Sequence, residues 1–171
     1  VTGTGSSWSN SLDLYVGRYG TGTLTVADGG SVSNTTGYLG FYSGSDGTAT
    51  VTGTGSSWSN SGDVYIGGSS SSAGGTGTES VLDGGTLSVS GDTKIYSGST
   101  LTLSGAASSL ELSGTFTDEG TFDWQSGGVT LNGASASWDY GASDFTVGYT
   151  TTQSFTLQGG ADMSNTTGYL G

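Results

Sequence analysis

The chain has no cysteine, no proline and no histidine among its 171 residues, and Arg18 and Lys94 are its only strong cations. Each absence closes off a class of chemistry. Without cysteine there are no disulfides and no thiolate metal sites, and without histidine the usual imidazole base and zinc ligand are missing. Two cations against 14 carboxylates leave a net charge of −12, so binding to a phosphate backbone is electrostatically disfavoured and nucleic acid is not expected as a partner. No apolar run is long enough to cross a bilayer as a helix, and no membrane insertion by this segment is expected. Leu, Ile, Val and Phe together make up less than a fifth of the chain, a composition that by itself reads as disordered. The missing proline points the other way, because nothing interrupts a hydrogen-bond ladder. The first residue is Val rather than Met, which reads as a cut or processed piece of something longer.

What the chain does have is repetition. VTGTGSSWSN runs from Val1 to Asn10 and again from Val51 to Asn60, and SNTTGYLG runs from Ser33 to Gly40 and again from Ser164 to Gly171. Taking Trp58 as an anchor, equivalent positions fall at Trp8, Val32, Trp58, Leu87, Leu110, Trp138 and Met163, with separations of 24, 26, 29, 23, 28 and 25 residues. These are read as core anchors of seven units. VTGTGSSW (Val51 to Trp58) aligns without gaps to LSGAASSL (Leu103 to Leu110) and LNGASASW (Leu131 to Trp138), which draws the degenerate middle into the same series. The longest step contains SSSSAGGTG, residues 69–77, a low-complexity loop insertion at one corner.

Each unit carries three short stretches of alternating apolar and polar residues, the period of a strand with one buried face. Thr23-Leu-Thr-Val26 recurs as Thr48-Ala-Thr-Val51, Thr100-Leu-Thr-Leu103, Gly128-Val-Thr-Leu131 and Ser154-Phe-Thr-Leu157. A second stretch surrounds the anchor. The third is Asp13-Leu-Tyr-Val-Gly17, recurring as Asp63-Val-Tyr-Ile-Gly67 and Asp144-Phe-Thr-Val-Gly148. Corners such as Asp28-Gly-Gly30 and Asp83-Gly-Gly85 separate the strands. The predicted fold is all-β: a parallel β-helix of about seven three-strand coils of roughly 24 residues each, right-handed because parallel crossovers are overwhelmingly so. Residues 1–171 form one solenoid segment with uncapped ends, expected to belong to a longer or end-to-end assembling protein. Asn10, Asn34, Asn60 and Asn165 each follow an anchor by two positions and are predicted to form a structural asparagine ladder, broken where Leu112 and Tyr140 take that slot.

The pattern T-x-T-V-x-G-x-G-S-x-W-S-N-S-G-D-x-Y-x-G, followed by T-L-T-V-x-x-G-G-x-V-S, resembles the repeats of passenger regions in bacterial autotransporters of type V secretion. Such repeats also occur in related surface proteins with a carboxy-terminal sorting signal. The resemblance is close over Val1 to Gly68 and Val129 to Gly171, and loose from Ser80 to Gly128. It implies a right-handed parallel β-helix outside the cell or on the bacterial surface, serving as a stalk, adhesin or fibre. The expected partners are copies of the chain end to end, with glycans or host and cell surfaces as further candidates.

Parallel β-helices also include polysaccharide hydrolases and lyases, so the carboxylates bear on function. The richest cluster is Glu111, Asp118, Glu119 and Asp123. Glycoside hydrolysis needs two carboxyls facing each other at a set distance, and adjacent Asp118 and Glu119 fall at a corner. They are read as solvated corner charges; no catalytic residues are assigned and no enzyme activity is expected. No cofactor or specific metal is expected either, only diffuse attraction of divalent cations to the acidic surface. Tyr15, Tyr38, Tyr65 and Tyr169 share an outward slot when aligned on the glycine that follows, and are the candidate carbohydrate-binding residues; stacking on one another is the simpler alternative. Outward threonines at Thr23 and Thr25, Thr48 and Thr50, and Thr100 and Thr102 resemble the flat ladder of ice-binding solenoids. That ladder is expected to be interrupted at Leu82 to Asp83, Gly128 and Ser154.

Overall fold

The computed structural model describes residues 1–139, 144–148 and 151–170; Tyr140 and Gly171 lie outside the described residues. Every paired strand runs parallel to its partner, and the described residues contain no helix. Seven laps of three strands follow one another. The first four are β1 (Ser7–Ser9), β2 (Leu14–Val16), β3 (Thr21–Ala27); β4 (Ser31–Asn34), β5 (Gly37–Leu39), β6 (Asp46–Thr52); β7 (Ser57–Asn60), β8 (Val64–Ile66), β9 (Thr76–Leu82); and β10 (Thr86–Val89), β11 (Thr93–Ile95), β12 (Thr100–Ser104). The last three are β13 (Ser109–Leu112), β14 (Thr115–Asp118), β15 (Thr121–Trp124); β16 (Gly127–Asn132), β17 (Ser137–Asp139), β18 (Asp144–Val147); and β19 (Gln153–Gln158), β20 (Asp162–Ser164), β21 (Thr167–Leu170). The first strand of every lap joins one seven-stranded sheet, here the anchor side, and the second joins another, the tyrosine side. The third strands form a five-stranded threonine side through β15, and β18 pairs with β21 in the last two laps. The predicted β-solenoid is therefore the observed one, with six closed turns between β1 and β19.

The alternation in the sequence sets the inside. Inward columns run Leu24, Ala49, Glu79, Leu101, Phe122 and Val26, Val51, Val81, Leu103, Trp124 on the threonine side. On the anchor side Val32, Trp58, Leu87 and Leu110 stack in register and are buried. Trp58 finds space because Gly37, on the facing strand of the lap before, has no side chain: a Cβ there would lie 2.9 Å from the Trp58 ring and 2.8 Å from Asn60 Oδ1. Corners rely on left-handed backbone, with Asp28 and Asp83 at φ 53° and 50°, as their reading as turn formers requires.

The anchor series departs from expectation after Leu110. Leu110 pairs with Val129, 19 residues on, and Val129 with Phe155. Trp138 and Met163 instead lie on the tyrosine side, in line with Phe116. The cause is a fourth strand in the 28-residue interval from Leu110 to Trp138: β13 to β16 follow one another with only two residues at each corner. Every later motif is thereby carried one side around the coil, including Gly128-Val-Thr-Leu131 and Ser154-Phe-Thr-Leu157, which run on the anchor side. An aromatic cluster fills this shortened lap. Phe116, Phe122 and Trp138 meet at centroid distances of 4.8 to 5.6 Å, with Trp124 and Phe155 beside them.

Trp8 stands in the anchor column, in register with Val32, but is 45% exposed, because β1 is an edge strand with a neighbour on one flank only. The insertion is shorter than residues 69–77: Thr76 and Gly77 already belong to β9, leaving a loop that Gly74 N–H closes on the Gly67 carbonyl at 2.8 Å.

Candidate functional site

The asparagine slot resolves into one buried relay. Trp58 Nε1 donates to Asn34 Oδ1 at 2.6 Å, and Asn34 Nδ2 donates to Asn60 Oδ1 at 2.7 Å. Val89 follows Asn60 in register, so the Asn60 amide nitrogen is left without an acceptor. Asn10 turns to its own corner and donates to the Asp13 carbonyl. Asn165 follows β20 on the tyrosine side and is no part of the relay, a consequence of the one-side slip.

The tyrosine slot is similarly reduced from four residues to three. Tyr15, Tyr38 and Tyr65 are in register on β2, β5 and β8, with ring centroids 4.8 and 5.5 Å apart and planes within 10° and 17° of parallel. Tyr169 sits on β21 opposite Thr146, away from that stack. Tyr38 has one ring face against Tyr15 and the other against Tyr65, and Phe41 meets Tyr15 and Tyr38 edge-on. A sugar ring needs a free aromatic face, and the middle of this stack has none. Burial and the Asp63 carboxylate, which accepts the phenol hydrogen at 2.9 Å, raise the Tyr65 pKa above the usual tyrosine range.

A second pair escaped the sequence reading. Tyr19 and Tyr42 stack at 4.6 Å, 74% and 41% exposed, with the Arg18 guanidinium over both Tyr15 and Tyr19. The signal was present in Gly17-Arg-Tyr19 and Gly40-Phe-Tyr42, each tyrosine two residues past a corner glycine.

The threonine side is more regular than expected. Its outward rows are Thr23, Thr48, Thr78, Thr100, Thr121 and Thr25, Thr50, Ser80, Thr102, Asp123. The break foreseen at Leu82 to Asp83 does not occur, because Thr78 and Ser80 supply that lap, and Gly128 and Ser154 belong to the anchor side. Hydroxyls thus repeat over five laps, interrupted only by the terminal Asp123, and the methyls are missing at Ser80 as well.

The acidic cluster is dispersed. Glu111 lies on the anchor side and accepts from Ser88 Oγ, Asp123 on the threonine side accepts from Gln125, and Glu119 pairs with Lys94 at 2.7 Å. Asp118 ends β14, where desolvation raises its pKa against the opposing N–H groups of Gly120 and Phe122. It lines, with Asp139, Asp162, Phe116, Trp138 and Met163, a cavity of about 380 Å³. Among the described residues no three carboxylates come together as a metal site. Comparison with protein-family models, curated proteins and solved structures finds no match to this chain.

Proposed function

We propose that the chain is a non-catalytic structural β-solenoid, part of an extracellular bacterial fibre, stalk or adhesin that extends by head-to-tail association. The observation that carries this reading is the lap-on-lap stacking itself: the anchor-side and tyrosine-side sheets each run through all seven laps in parallel pairs, around a continuous apolar core. A stack of this kind lengthens by adding laps, because the flank of one lap is the template for the next, and a second copy would supply such laps. The resemblance to autotransporter passenger repeats supports the surface location.

Sedimentation velocity over a concentration series, with electron microscopy of the same samples, tests the association. Concentration-dependent growth into rods of one width is expected; a strict monomer without filaments at high concentration would sink it. A glycan array run beside a reducing-sugar and unsaturated-product assay tests the alternative of a polysaccharide-binding or polysaccharide-degrading β-helix. No turnover is expected, with any glycan binding lost in a Tyr19→Ala and Tyr42→Ala double variant.

The two outward rows, threonine except at Ser80 and Asp123, favour a second reading, a face for ordered water at an ice surface. Neighbouring hydroxyls stand about 4.8 Å apart across strands and about 6.6 Å along them. Thermal hysteresis that disappears in Thr50→Lys supports it, and its absence in the unaltered chain removes it.

A further inference from the structure

Glu79 is the one carboxylate buried among the described residues: it is 0% exposed, and neither of its oxygens has a hydrogen-bond partner. It projects inward from β9 between Ala49 and Leu101, in a column otherwise filled by Leu24 and Phe122. The interior around it is apolar, with Trp58, Val64, Ile66, Leu87 and Val81 all buried. Asn60 Nδ2 and Thr93 Oγ1 are the other unpartnered buried groups, and neither is charged. Of the strands packed against β9, β6 carries Asp46, β5 carries Tyr38 and β8 carries Tyr65, while β12 carries no ionisable residue. Asp46 is exposed and the two tyrosines belong to the outer stack. No positive charge faces Glu79 from any of these strands.

A carboxylate without a partner in such a place is far costlier than the neutral acid. We propose that Glu79 is a proton-operated latch. As the neutral acid it lets the threonine side close over the third lap, and loss of its proton loosens the ladders that join β9 to β6 and β12. Desolvation raises its pKa well above the ordinary glutamate range, which gives the sign of the effect. Below that range both folded and unfolded chains hold the proton, and this contribution to stability is complete. Above it the unfolded chain releases a proton that the folded chain keeps, so stability falls as pH rises toward the folded-state value. The solenoid is then tightest in mild acid, and its weakest lap in alkali is the third. The latch rests on the fold alone and stands whether or not the chain assembles into fibres.

Urea unfolding of the unaltered chain, Glu79→Gln and Glu79→Leu across a pH series tests it. The ratio of folding constants, Glu79→Gln over unaltered, is expected to grow by up to about tenfold per pH unit above the ordinary glutamate range, and Glu79→Leu to follow Glu79→Gln. Parallel pH curves for the unaltered chain and Glu79→Gln would overturn the latch. The carboxyl ¹³C resonance of Glu79 gives a second readout that needs no variant. It is expected to keep its protonated shift through the ordinary glutamate range, and titration within that range overturns the proposal. Hydrogen exchange places the effect: protection should fall first at β6, β9 and β12 as pH rises, and a uniform loss over all laps counts against it.

Discussion

Among single residues, Asn34 holds the most. It accepts from Trp58 and donates to Asn60 in the buried interior, so its removal leaves one buried donor and one buried acceptor unpaired. Each such orphan costs about 1–3 kcal/mol. Asn34→Ala is therefore expected to lower stability by about 2–6 kcal/mol in urea titration, whereas Asn10→Ala, with two local bonds, one of them long, in a part-exposed corner, should cost no more than about 1 kcal/mol. Equal losses would mean that the two asparagines act alike after all. Alignment alone could not separate them, because identical letters two places after an anchor say nothing about whether the next lap offers a partner. Glu79 was equally hidden: a lone acid in an alternating strand carries no mark of its side until the register of Thr76–Leu82 is known.

At the scale of strands and corners, the local unit was legible and its place on the coil was not. Gly53, Gly105 and Gly133 each accept from the N–H three residues on, so the same tight corner follows Val51, Leu103 and Leu131. The first two corners lead from the threonine side to the anchor side, and the third leads from the anchor side to the tyrosine side. A strand-corner-strand motif specifies its own turn and fits more than one corner of the coil. The shift arises around β15, whose flanking corners Glu119-Gly120 and Gln125-Ser126 have two residues each, where the same corners of earlier laps take at least four and at least three. The Ser69–Gly75 loop, by contrast, announced itself in composition. Its serines touch mainly one another, and its outside ties sit at its two ends, where Tyr96 Oη donates to the Ser69 carbonyl at 2.6 Å and the N–H groups of Gly74 and Gly75 donate to the Gly67 and Gly40 carbonyls. Deleting residues 70–72 while keeping Ser69 is expected to cost less than about 1 kcal/mol; a larger drop in the thermal midpoint would show that the loop braces the corner.

For the whole molecule, charge and connectivity set the behaviour. A net charge of −12 with two cations, of which Lys94 pairs with Glu119, makes the rod self-repelling at neutral pH. Added salt screens such repulsion over about 10 Å at 0.1 M. The unfolding midpoint should rise between dilute buffer and physiological salt, and a midpoint that falls would point to attractive pairs outweighing the repulsion. Connectivity is sparser still. Each lap pairs its strands only with those of its neighbours, as in other solenoids, and the laps are unequal: 29 residues separate Trp58 from Leu87, and 19 separate Leu110 from Val129. Stretched from its two ends, the chain would come off as thread from a spool, one winding per force peak. At about 3.5 Å per residue those two windings release about 100 Å and about 65 Å of contour, so the slipped fifth lap would write itself into the trace as its shortest step.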